Sequence, residues 1–135
     1  MGWDSNAERS AVRLVGAPPP PPGEFDVAED ASVSVLGRLP VDSLVDALAD
    51  SPRVVPWEAD VVVAVVDDER SLHGLPGWLR ECGVVAPVWV VHGGVQGPAP
   101  GADAVRGVMR DAGYGALAVS RVTAAWSATR FAMPA

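Results

Sequence analysis

Two stretches constrain this chain more than any others: "ADVVVAVV" (Ala59 to Val66) and "APVWVVHG" (Ala86 to Gly93). Neither alternates polar with apolar residues. A strand with one wet face shows that alternation, whereas a strand covered on both faces reads as a continuous apolar run, the habit of central parallel strands. The longer run, Val61 to Val66, is far too short to span a bilayer. The rest of the chain must therefore supply layers that cover both faces of a sheet.

The flanking segments have the periodicity for that task. "LPGWLREC" sets Leu75, Leu79 and Cys82 on one side of a predicted helix, with Pro76 tolerated in its first turn. In "ADAVRGVMRDAGY" an apolar stripe runs through Val105, Val108, Met109 and Ala112, and Gly113 closes the helix. "VDSLVDALAD" places Val41, Leu44, Val45 and Leu48 at helical spacing and stops before Pro52. Val12, Leu14 and Val15 read as a first strand ending at Gly16, "SVSVLG" (Ser32 to Gly37) as a second, and Arg53 to Val55 as a stubby third limited by Pro56. Ala116 to Thr123 and Trp126 to Met133 are joined across Ala124 and Ala125 as an antiparallel hairpin.

Strands alternating with helices predict an α/β, Rossmann-like three-layer sandwich. Its sheet is expected to be mostly parallel, with a C-terminal antiparallel hairpin as in methyltransferase-like folds. Residues 1–11 read as a flexible lead and 12–135 as a single domain.

Composition narrows the function. The net charge of −7 repels phosphate backbones, which argues against nucleic acid as a partner. All ten basic residues are arginine and isoleucine is absent, the mark of a high-GC gene. The single cysteine, Cys82, has no partner for an internal disulfide, and "MGWDSNAERSAVR" has no signal-peptide pattern, so a cytoplasmic protein without membrane attachment is expected.

Four pieces in order, "VRLVGAPP", "WEADVVVAVV", "APVWVVHG" and "AVSRVTAAWSATRFAMP", resemble the small bacterial proteins of the domain of unknown function 3052 family. "WSATRF" (Trp126 to Phe131) and "GAPP" are the most specific elements of the resemblance. It implies a compact methyltransferase-like Rossmann fold with no established activity. The basic ending of such proteins after the strand at Ala86 to His92 is replaced here by "HGGVQGPAPG".

Ligands in open α/β sheets bind beyond the carboxyl ends of the strands, which singles out three loops. The first begins at Gly16, but Pro18 to Pro22 remove five backbone donors in succession and impose an extended path. The next strand ends "LGRLP", without an acidic residue to hold a ribose, so S-adenosylmethionine is disfavoured and no cofactor is expected. The second loop, "DDERS", offers Asp67 as a ligand contact, although such a cluster at a loop opening usually caps a helix. The third offers His92, Gly93 and Gly94 at the end of a buried strand, with no serine or cysteine nucleophile beside them. His73, His92 and Cys82 fall at no zinc spacing, so no metal is expected. Asp42, Asp46 and Asp50, four residues apart, form an acidic stripe suited to a basic partner.

These readings predict no catalytic residue. The expected function is a non-catalytic accessory or regulatory module that binds an unidentified protein or small molecule. The alternative is an S-adenosylmethionine-dependent methyltransferase-like enzyme with a degenerate cofactor loop.

Overall fold

A computed structural model of the protein describes residues 25, 27, 28, 30–94, 97 and 99–132. The first predicted strand and Gly16 lie outside the described residues. Among the described residues five strands form one sheet: β1 (Val33–Leu36), β2 (Val61–Val65), β3 (Val88–Gly93), β4 (Gly115–Arg121) and β5 (Trp126–Ala132). The α-helices of the described residues are interspersed: α1 (Asp42–Ala47), α2 (Glu69–Glu81) and α3 (Ala102–Asp111).

The strand order is β1-β2-β3-β5-β4. β1 pairs with β2 and β2 with β3 in parallel, whereas β3 with β5 and β4 with β5 are antiparallel. The sheet is therefore mixed, its four pairings evenly divided. This corrects the expectation of a mostly parallel Rossmann-like sandwich. The physical reason is the hairpin: β5 inserts beside β3 and pushes β4 to the edge, so half of the ladder becomes antiparallel.

The apolar runs have the role their pattern demands. Val62, Ala64, Val88 and Val90 belong to one core cluster, together with Leu72, Leu75 and Leu79 of α2, Val105 and Met109 of α3, and Phe131 of β5. Val63, Val65, Trp89 and Val91 belong to a second cluster on the opposite face, with Leu44 and Leu48 from the α1 segment. The two longer helices thus cover one face. The other carries a six-residue helix and the Phe25 region, where the Phe25 amide donates to Ser120 Oγ (2.9 Å) and its ring tilts against Trp89.

Three local expectations change. Arg53 forms only an isolated bridge to Val33, not a third strand. The hairpin turns through four residues, 122–125, because the Thr123 hydroxyl accepts hydrogen bonds from the amides of Ala125 and Trp126. Helix α2 begins at Glu69, six residues earlier than its predicted core, so Pro76 sits in its interior rather than its first turn. A proline there has no N–H for the carbonyl four residues back. The helix withstands that loss because Leu72, Leu75, Pro76 and Leu79 are buried together and Asp68 caps its start.

Helical glycine offers a check on this packing. A Cβ added at Gly77 in α2 or Gly107 in α3 meets no atom within 4 Å. Gly77→Ala and Gly107→Ala are each expected to raise stability by about 0.5–1 kcal/mol, through the lower backbone entropy of alanine in the unfolded chain. The urea midpoint of each variant measures the gain.

Candidate functional site: a cleft beside the first turn of α2

Parallel pairing brings the carboxyl ends of β1, β2 and β3 to one edge of the sheet. A cleft of about 460 Å³ opens there between the residues after β1 and the first turns of α2. Its apolar wall comprises Leu36, Val66, Leu75 and Trp78, and its charged rim comprises Arg38, Asp67, Asp68 and Arg70.

Gly37 shapes this edge. Its φ of +89° lies where side-chain-bearing residues are disfavoured, and a Cβ would come within 3.2 Å of the Val65 side chain. Glycine lets the chain leave β1 tightly against β2 and turn Arg38 toward the cleft. On the far side, the Asp68 carboxylate accepts a hydrogen bond from the Ser71 amide (2.7 Å), an N-cap that starts α2. That bond, helped by the Arg70 charge, holds the Asp68 carboxyl below its ordinary range. Asp67 accepts a hydrogen bond from the Ser71 hydroxyl (3.2 Å). The expected capping chemistry of "DDERS" is present, and Asp67 also lines the cleft.

His92 is somewhere else altogether. It is a fully buried residue of β3, paired with Ser127 of β5. Its Nδ1 lies 2.9 Å from the Gly93 carbonyl oxygen, and its Nε2 lies 2.8 Å from Thr129 Oγ1. A carbonyl only accepts, so Nδ1 carries the proton and Nε2 accepts from the Thr129 hydroxyl. Burial lowers the pKa of the imidazole, and the Arg106 charge adds to that, opposed by the bond to Gly93. The ring is thus held neutral with both nitrogens occupied, an arrangement that braces the β3–β5 ladder.

Gly93 and Gly94 sit beyond it, where loops press on the strand end. A Cβ on Gly93 would collide with the Ala99 carbonyl oxygen, and one on Gly94 would lie 2.8 Å from that of Ala124. Their amides donate to Pro100 and Ala125 carbonyls. Both glycines border a second hollow of about 390 Å³, together with Asp103 and Ser127. Asp67 is therefore in the first hollow, and Gly93 and Gly94 are in the second.

Comparison with known proteins finds no matching family model, curated protein or solved structure. The kinship drawn from "GAPP" and "WSATRF" stays a resemblance, and function must be read from geometry.

The acidic stripe is shorter than its spacing implies. Asp42 and Asp46 are exposed on α1, but the helix ends at Ala47, and Asp50 lies in the turn beyond it. Cys82 caps the end of α2 and packs against the first core cluster. Among the described residues no group of His, Cys, Asp and Glu is placed to hold a metal ion, and no helix is long and apolar enough to cross a membrane.

Of the cleft residues the sequence points only to the loop Asp67 to Ser71, with Asp67 as the contact; Gly37, Arg38, Gly74 and Trp78 are among those it does not single out. For Gly37 a signal existed, since a glycine directly after a strand often marks a tight exit. Trp78 carried none, because its place in the cleft depends on α2 starting at Glu69 rather than near Leu75.

Proposed function

We propose that the protein is a non-catalytic accessory or regulatory module that holds a small molecule in the cleft between Gly37 and the first turns of α2. The observation that carries this reading is the make-up of the cleft: a concave, mainly apolar wall with a few charged groups at its rim, set at the strand ends where open sheets bind ligands. The absence of a catalytic role is supported by how the candidate groups are engaged. Ser71 donates to Asp67, and a carboxylate is too weak a base to turn a serine hydroxyl into a nucleophile. Asp68 is committed to its cap with a lowered pKa, which makes it a poorer proton acceptor still.

No cofactor belongs to this reading, and the acidic charge disfavours nucleic acid as a partner. Gly74 lines the cleft and has open space around a Cβ, so Gly74→Phe is expected to narrow the cleft with its ring. Wild-type protein equilibrated with a metabolite extract is expected to retain a small molecule that the Gly74→Phe variant does not, and to return it chemically unchanged. Equal retention by both proteins contradicts the cleft. Turnover abolished by Asp67→Asn, or saturable heat on titration with S-adenosylmethionine, contradicts the non-catalytic, cofactor-free reading.

A further inference from the structure

We infer that the ligand of this cleft carries a carboxylate on an apolar body, with Arg38 and Arg70 as its anchors; the inference rests on the cleft being the binding site. The four charges of the rim are not equivalent. Both carboxylates already accept from Ser71, Asp67 from the hydroxyl and Asp68 from the amide. Neither Arg38 nor Arg70 makes an ion pair with a described residue, although both line the cleft of a chain with net charge −7. Among the described residues both guanidiniums are therefore left with donors to offer a ligand, whereas each carboxylate already holds one bond to Ser71. A planar carboxylate matches the fork of a guanidinium with two parallel hydrogen bonds.

The wall and the remaining charges restrict the rest of the ligand. Leu36, Val66, Leu75 and Trp78 offer apolar contact, with an indole against which an aromatic or aliphatic body can lie. Asp67 and Asp68 stand on the same rim and oppose a second negative charge, which favours a singly charged carboxylate over a phosphate. The helix end itself contributes little, since Asp68 already caps it.

The test uses four probes of similar size on the full chain: phenylacetate, its alcohol counterpart, its amine counterpart and phenyl phosphate. Affinities come from two-dimensional NMR titrations that also report where each probe sits. Phenylacetate is expected to shift the Gly37 and Ser71 amides and to bind about tenfold more tightly than the alcohol. The Arg38→Gln/Arg70→Gln protein, altered only at exposed positions, is expected to fold normally and to bind acid and alcohol alike. Alcohol, amine or phosphate binding in the cleft as tightly as phenylacetate overturns the ligand class and leaves the cleft standing. An acid preference that persists in the double variant overturns the two arginines as anchors. If no probe shifts the cleft, the binding reading and this inference fall together.

Discussion

Phe131→Ala is expected to lower stability by about 3–5 kcal/mol, the cost of removing a fully buried aromatic side chain and leaving a cavity. Phe131 is 1 % exposed and belongs to the cluster that includes Val88, Val90, Met109 and Tyr114. It also stands at the junction of the mixed sheet. Its register partners are Val88 across the β3–β5 ladder and Ala116 across β4–β5. Truncation therefore weakens the seam where the parallel half meets the hairpin, as well as the contact with the helices above it. Domains of this size are stable by roughly 5–15 kcal/mol, so the loss takes a large share of the whole. A fall in Tm of roughly 10–20 °C is expected, with the urea m-value unchanged. Phe131→Leu, which keeps most of the volume, is expected to cost less than half as much. A loss below about 1 kcal/mol for the alanine variant contradicts the placement of β5 between β3 and β4.

The second large effect concerns His92. Thr129→Val keeps the side-chain shape but removes the hydroxyl that donates to Nε2, leaving a buried acceptor unmet at a cost of about 1–3 kcal/mol. His92→Leu removes both polar groups of the ring, and combining it with Thr129→Val is expected to cost less than the two single changes summed. The sign of the pH dependence follows from burial. The folded protein keeps His92 neutral below the ordinary pKa of 6.5, whereas the unfolded chain takes up a proton near that value. Stability is therefore full above about pH 6.5 and declines as the pH falls from there toward the lowered folded pKa. The slope is at most about 1.4 kcal/mol per pH unit for one proton. Urea unfolding between pH 7.5 and pH 5, roughly the window that a lowered histidine pKa opens, is expected to show this slope in wild type. The slope is expected to vanish in His92→Leu. A flat profile in wild type contradicts a buried neutral imidazole.

What could be read from the sequence follows from how far each signal reaches along the chain. β2 and β3 were legible because burial on both faces leaves an unbroken apolar run, and α3 because its stripe ends at Gly113, whose φ of +97° terminates the helix. The start of α2 is not legible from "LPGWLREC", because a proline is best tolerated in a helix's first turn and Pro76 therefore points to a start near Leu75. The competing cue, an Asp68 cap three residues before Ser71 followed by Leu72, Leu75 and Leu79, proved stronger. Sheet order was not legible. The insertion of β5 beside β3 depends on pairings across 33 or more residues, such as Gly93 with Trp126, which no local pattern encodes.

The same distinction governs the site. Asp67 was accessible to sequence reasoning because strand ends in open sheets collect ligand residues. His92 was equally well placed in sequence, yet its role is decided by Thr129, a residue 37 positions away that occupies its second nitrogen. The opposite rim of the cleft, Gly37 and Arg38, requires knowing that β1 lies directly beside β2.

In the proposed function small molecules enter between Gly37 and α2 rather than at the glycine-rich end of β3. Amide shift mapping with a set of fragment-sized ligands tests it most directly, because the two hollows share no residue. Perturbations are expected to concentrate at Gly37, Arg38, Asp67 to Ser71 and Gly74, with the Trp78 indole among them. Perturbations that instead gather at Gly93, Gly94, Asp103 and Ser127, with the first group unmoved, would contradict it.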